Sequence, residues 1–138
     1  MTNIVTEQKK VAYSADQIFQ FISNFNHFKQ LLPEDKVEDW QSTEESCSFK
    51  IKGMTTLGLK LGDVEKPSKI VMLSDGKVPF KFHLDVNIQE VDSDNSMVHI
   101  EFEGDINPFM KMMVEKPLTN FFNMLVDKLS KLELEKFL

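Results

Sequence analysis

Residues 80–89 read FKFHLDVNIQ, residues 98–103 read VHIEFE, and residues 107–132 read NPFMKMMVEKPLTNFFNMLVDKLSKL. In the first two segments the apolar residues take every second position. Phe80, Phe82, Leu84, Val86 and Ile88 alternate with Lys81, His83, Asp85, Asn87 and Gln89, while Val98, Ile100 and Phe102 alternate with His99, Glu101 and Glu103. A period of two marks a half-buried strand, with one face apolar and the other wet. The polar stretch Asp92-Ser93-Asp94-Asn95 lies between them, so the two strands are antiparallel neighbours joined by a short turn. In the third segment the period changes. Met110, Met113, Val114, Leu118, Phe121, Leu125, Leu129 and Leu132 recur at spacings of three and four, as on one stripe of a helix. Asn107 is a capping residue, and Pro108 suits the first helical position. A helix over 108–135 is roughly 40 Å long at 1.5 Å per residue. Pro117 inside it is expected to kink or split it.

The period of two extends upstream. Cys47, Phe49 and Ile51 alternate with Ser48, Lys50 and Lys52, and Leu57, Leu59 and Leu61 with Gly58 and Lys60. Residues 70–73 are apolar on both faces, between turns at Lys66-Pro67-Ser68 and Asp75-Gly76. About six strands therefore fill 37–105. Ahead of them, residues 3–12 read as an opening strand. Ser14-Ala15-Asp16-Gln17 is a capping box, with Ser14 accepting from the Gln17 amide and Gln17 reaching back; Asp16 favours the same helix end through the dipole. Ile18, Phe19, Phe21, Ile22 and Phe25 then give an amphipathic helix of about three turns. A second short helix carries Phe28, Leu31 and Leu32 and stops at Pro33. Strands joined by short turns form an antiparallel meander. A meander with one apolar face must cover it, and the terminal helix has the length and the stripe to do so. The fold expected is α+β: a curved antiparallel sheet of about six or seven strands around a long C-terminal helix, in one domain over 1–138.

Composition narrows the function. Twelve phenylalanines in 138 residues are too much apolar mass for a disordered chain. Sixteen lysines against 22 acidic residues leave a net charge of −6, and arginine is absent. Such a chain lacks the forked donors that read phosphates and base edges, so no nucleic-acid partner is expected. Lys50 and Lys52 share one wet face of a strand. Residues 1–7 have neither a basic nor an apolar region of a signal peptide. No apolar run approaches the ~20 residues of a membrane span. Cys47 has no partner in the chain, which fits a small core residue in a reducing compartment. The location expected is cytoplasmic.

Several local features converge on a known family. The opening strand, Ser14-Ala15-Asp16-Gln17-Ile18-Phe19, and the second helix ending Leu31-Leu32-Pro33 resemble the START and birch-pollen-allergen-like superfamily (SRPBCC; polyketide cyclase and lipid transport). Val78-Pro79-Phe80 and Asn107-Pro108-Phe109, followed by the long helix, are similar to its small bacterial members. The resemblance covers nearly the whole chain and rests on element order and hydrophobic spacing, without a catalytic signature. It implies a helix-grip fold with a cavity between sheet and C-terminal helix. Members bind lipids, sterols, hormones or polyketides, and a minority catalyse cyclisation or dehydration. Plant-type members carry a glycine-rich loop between early strands. Here Gly53, Gly58 and Gly62 are spread out, so no binding residue is carried over from that loop.

By alternation the covered face holds Phe49, Ile51, Leu57, Leu59, Phe82, Leu84, Val86, Ile100 and Phe102, and the helix adds Met113, Phe121 and Leu125. No charge interrupts this set. An uncharged apolar lining is what a hydrophobic ligand requires, and it is equally what a filled core requires. Trp40, Thr56 and Tyr13 are the polar groups available to orient a ligand. Phe109, Met110 and Met113, beside Pro117, are candidates for a gate. The candidate ligand-binding set is thus the twelve face residues together with Trp40 and Phe109. His83 and His99 share the wet face with Lys81, Asp85, Glu101 and Glu103, where they are possible cross-strand neighbours. His27 reads as a surface residue at a helix start. There is no nucleophile elbow, HExxH, P-loop or dinucleotide fingerprint, and no catalytic residue, metal ligand or cofactor is assigned. The function expected is binding or carrying of a small hydrophobic molecule, lipid- or polyketide-like, by a monomer or weak dimer. One alternative is a cyclase or dehydratase, which needs an inward acid or base. The other is a solid-core interaction module, which needs an exposed apolar patch, whereas the wet faces read as charged.

Overall fold

Thr6 is where the opening strand breaks in two. Its N–H donates to the Ile100 carbonyl at 2.9 Å, and its hydroxyl oxygen accepts from the Ile100 N–H at 2.9 Å. A side chain here takes the place of a backbone acceptor, and the chain gains one residue against its partner. The result is β1 (Thr2–Val5) and β2 (Lys9–Val11), both antiparallel to β8 (Asn95–Gly104). This raises the expected six or seven strands to eight. The computed structural model describes residues 1–76 and 78–137. The other elements are α1 (Ala15–Ile22), α2 (Phe25–Phe28), β3 (Val37–Ser42), β4 (Ser46–Ile51), β5 (Thr56–Glu65), β6 (Lys69–Ser74), β7 (Phe82–Asp92) and α3 (Pro108–Lys131), with short 3-10 turns at Lys29–Leu31 and Leu134–Lys136. The sheet order is β1-β8-β7-β6-β5-β4-β3 with β2 also on β8, a meander closed by the return of the N-terminal strands.

The register shows why one face is apolar. Leu84 pairs with Phe102, Val86 with Ile100 and Ile88 with Val98, whereas His83 pairs with Glu103, Asp85 with Glu101 and Asn87 with His99. The first set is buried and the second half-buried or exposed. The capping box of α1 forms as read. The Gln17 N–H donates to the Ser14 hydroxyl at 3.2 Å, and the Ser14 N–H donates to Gln17 Oε1 at 3.1 Å. The helix buries Ile18, Phe19, Phe21 and Ile22.

In α3, Asn107 Oδ1 accepts from the Met110 N–H at 2.8 Å. The helix then runs without a break through Pro117 to Lys131. The ring removes the bond that a residue-117 N–H would give the Met113 carbonyl. It does so on the exposed side, while Val114, Leu118, Phe121, Phe122 and Leu125 keep one buried stripe on both sides of it. Packing of that stripe outweighs the lost bond. The helix ends at Lys131, not near 135, because Leu132 turns to an extended conformation. Leu134 is then fully buried, and its N–H donates to the Tyr13 hydroxyl at 3.1 Å; that hydroxyl donates in turn to the Glu135 carboxylate.

Cys47 is buried on β4, and burial pushes its thiol up to about 12. A thiol held protonated is a poor nucleophile. Native protein at pH 8 is therefore expected to leave a disulfide exchange reagent unreacted, while protein in denaturant reacts with one equivalent. Rapid labelling of the native protein would contradict this placement.

Candidate functional site

Trp40 reaches the covered face through a bulge. Glu38 pairs with Lys50 and Gln41 with Ser48, so β3 holds one residue more than β4 between those pairs. Asp39 absorbs the extra residue with φ of 58°, a left-handed conformation that Asp tolerates better than most. The bulge changes the parity of the strand. Val37 and Trp40 then stand on the same side as Ile51 and Phe49, and the indole stacks on Phe49 with ring centres 5.8 Å apart.

From there the aromatic rings form a chain through the interior. Phe49 stacks on Phe121 at 6.0 Å, Phe121 meets Phe122 edge-on at 5.9 Å, and Phe122 lies 5.2 Å from Phe102. Phe102 contacts Phe82 at 5.4 Å, and Phe82 contacts Phe80 at 5.8 Å. These are favourable offset and edge-to-face separations. The chain joins sheet to helix at its middle and fills the space between them. Beyond it, the void bounded by Ile22, Phe28, Val86, Ile100, Leu125 and Leu129 is about 10 Å³, the lower limit for one water. At this depth the grip is filled core.

Open space lies at the mouth. A groove of about 360 Å³ opens between α3 and the turn linking β4 to β5. Its floor is Ile51, Met54, Pro117, Phe121 and Met124. Lys36, Lys52, Lys116 and Asn120 stand around it. The turn is shaped by Gly53 at φ of 80° and by the Met54 N–H donating to the Ile51 carbonyl at 3.0 Å. The Lys52 N–H donates to the Lys36 carbonyl at 2.8 Å, which holds those two segments side by side.

The expected site residues distribute as follows. Phe49, Leu57, Leu59, Phe82, Leu84 and Phe102 are buried in the core. Val86, Ile100 and Leu125 border the small inner void. Ile51 and Phe121 are buried residues that also form the groove floor, and Trp40 is half-buried beside them. Two residues are placed differently from the reading. Met113 is 61% exposed and Phe109 is 75% exposed. Met113 and Val114 both fit a three-and-four spacing, but they differ by about 100° around the helix, and Val114 takes the core side. Both Phe109 and Met113, with Met112 at 87% exposed, point outward from the start of α3, so the solvent faces are not uniformly charged. Of the other polar groups, Thr56 is exposed and the Tyr13 hydroxyl is engaged with Leu134 and Glu135. Lys36, Lys52, Met54, Lys116, Asn120 and Met124 of the groove were not among the expected site residues, because no local pattern links them.

The histidines lie elsewhere. His83 and His99 are not cross-strand partners: His83 faces Glu103 and His99 faces Asn87. On the outer face His83 Nδ1 lies 3.1 Å from Asp85 Oδ1, and His99 Nε2 lies 3.5 Å from Glu101 Oε2. Among the described residues no three His, Cys, Asp or Glu side chains are grouped to hold a metal ion. His27 is half-buried, not fully exposed as a surface residue would be. Its ring stacks on Phe21 at 5.4 Å, and its buried Nδ1 has no hydrogen-bond partner. Helix α2 turns that face inward against α1.

No protein-family model matches the chain, and no curated protein matches it. Solved structures do. Norcoclaurine synthase of Thalictrum flavum is similar over 98% of this chain and 96% of its own, with a TM-score of 0.74 at 18% identity. A START superfamily protein of Mycobacterium smegmatis matches over 99% of each chain, with a TM-score of 0.68 at 14% identity. The di-domain ARO/CYC protein BexL matches 95% of this chain with 46% of its own, with a TM-score of 0.71 at 9% identity. At these identities the likeness is one of fold. Together with the curved sheet gripping α3, it shows that the chain has a helix-grip fold like that of START and birch-pollen-allergen-like (SRPBCC) proteins.

Proposed function

We propose that this chain binds a small hydrophobic molecule, lipid- or polyketide-like, at the mouth of the grip. The carrying observation is the groove of about 360 Å³ whose floor is Ile51, Met54, Pro117, Phe121 and Met124. That volume is near the lower end for ligand sites, so it suits a single slender chain or ring. Met54 and Met124 supply adaptable walls. Binding is favoured over turnover because the groove is lined by no His, Asp or Glu able to serve as a general acid or base near neutral pH. The superfamily fold supports the same reading, one neighbour having been solved with dopamine and hydroxybenzaldehyde bound. In this reading residues 1–138 act as one domain, monomeric or weakly dimeric, in the cytoplasm.

Trp40 is the single tryptophan, and it reaches the floor through Phe49 and Phe121. Titration with dodecanol is expected to change its emission saturably, and Met54→Asp is expected to abolish the change without unfolding the protein. A linear, unsaturable response would overturn the proposal. The filled interior and the exposed Phe109, Met112 and Met113 favour a second reading, a solid-core module that meets a protein partner. Failure of every apolar probe to bind would favour that alternative.

A further inference from the structure

We infer that the molecule taken up at this groove is an anionic amphiphile: a single aliphatic chain ending in a carboxylate. This rests on the binding role proposed for the same groove and specifies the head group.

The charges at the rim all have one sign. Lys36, Lys52 and Lys116 come from three separate segments, and no Asp or Glu joins them in the lining. The chain as a whole is acidic, at −6, and two of its other grooves carry an excess of acidic groups. One of about 350 Å³ on the far side of Trp40 combines Lys29 with Glu34, Glu38 and Asp39. One of about 360 Å³ on the outer face of the sheet holds Asp85, Glu101 and Glu103 beside His83. The positive groove is therefore a local departure from the composition.

These three ammonium groups are also unspent. The lysine ion pairs among the described residues involve Lys9, Lys50, Lys69, Lys111, Lys131 and Lys136. Lys36, Lys52 and Lys116 are exposed and enter none of them. A lysine lays its methylene stem along apolar surface and keeps its charge at the water boundary. Three such stems around Ile51, Met54 and Phe121 give a surface that is apolar in depth and cationic at the edge. A ligand matching both zones carries a tail for the floor and an anion for the rim. Lysine binds as a flexible point charge, without the planar fork that arginine offers, and so accepts a compact carboxylate in several orientations. A cationic head group would meet three like charges.

The test compares three probes of equal tail, dodecanoate, dodecanol and dodecyltrimethylammonium, by calorimetry on the intact protein at low salt. Dodecanoate is expected to bind about tenfold or more tighter than dodecanol, a difference of about 1.4 kcal/mol. Added salt is expected to narrow the gap by screening exposed charges. The triple variant Lys36→Gln, Lys52→Gln, Lys116→Gln changes only exposed side chains. It is expected to keep the melting temperature and to lose the preference for dodecanoate over dodecanol. If dodecanol or the cation binds the unaltered protein as tightly as dodecanoate, the head-group assignment fails while the hydrophobic groove stands. A triple variant that keeps the full preference overturns the assignment to these lysines. Absence of saturable binding by all three probes overturns both the assignment and the binding role beneath it.

Discussion

Phe121→Ala is expected to lower unfolding stability by about 3–5 kcal/mol, the range for removing a buried phenylalanine ring. The ring is 4% exposed. It is stacked on Phe49 of β4 and set edge-on to its helix neighbour Phe122, so its loss removes the aromatic contact that ties α3 to β4 and one that steadies Phe122 against the sheet. The same ring is part of the groove floor. Truncation therefore extends the groove inward towards Phe49 and Trp40 instead of leaving a sealed void, and entry of water or probe is expected to hold the cost to the lower part of that range. A denaturant midpoint shift at unchanged slope measures the stability loss. The change in ligand preference tests the functional reading. If the aliphatic tail lies on Phe121, the variant gains affinity for hexadecanol relative to dodecanol. A stability loss under about 1 kcal/mol would show that the ring chain is loosely packed. An unchanged length preference would show that the tail lies elsewhere.

The sheet and its apolar face were legible because alternation is a local property. Leu84, Val86 and Ile100 announce their side of the sheet without reference to anything distant, and the register pairs them as the pattern requires. Trp40 was less legible. Its side depends on the bulge at Asp39, and a left-handed non-glycine residue leaves no mark in the alternation of a strand as irregular as β3. Met113 shows the limit of helical spacing. The stripe fits both Met113 and Val114, and only the folded chain shows that Val114 takes the buried side. The groove was the least legible part. Lys36, Lys52 and Lys116 meet only because the Lys52 N–H binds the Lys36 carbonyl and α3 crosses the turn that follows β4. The interior itself followed from composition in the other direction: the phenylalanines that suit a greasy chamber are numerous enough, and close enough together, to occupy it. His27 is half-buried where its position suggests an exposed ring. A polar residue at a short helix start is ordinarily wet, but α2 is so brief that packing against Phe21 sets the direction of its ring.

Gly58→Ala is expected to cost about 3 kcal/mol, the upper part of the range for overpacking, although the position lies mid-strand where alanine is ordinarily harmless. A Cβ at Gly58 would stand 2.2 Å from the Asp75 carbonyl oxygen and 3.1 Å from its carbon. Both partners in that clash are backbone, so no side chain can rotate to relieve it. The close approach has its own bond, the Asp75 N–H donating to the Gly58 carbonyl at 2.9 Å, which would stretch as the strands part. Gly58 also pairs with Ser48, and Leu57 and Leu59 on either side are buried, so displacement of β5 spreads into the core instead of towards solvent. Gly53→Ala isolates the other cost that glycines meet. Nothing lies within 4 Å of a Cβ built there, but φ is +80°, so only backbone strain of about 1 kcal/mol is expected. Comparing the two variants by denaturant unfolding separates collision from strain. If Gly58→Ala proves no worse than Gly53→Ala, the chain after β6 does not cross β5 as closely as the geometry requires. A loss at Gly58 well beyond the smaller one at Gly53 is the result expected if that crossing holds the end of β6 against β5.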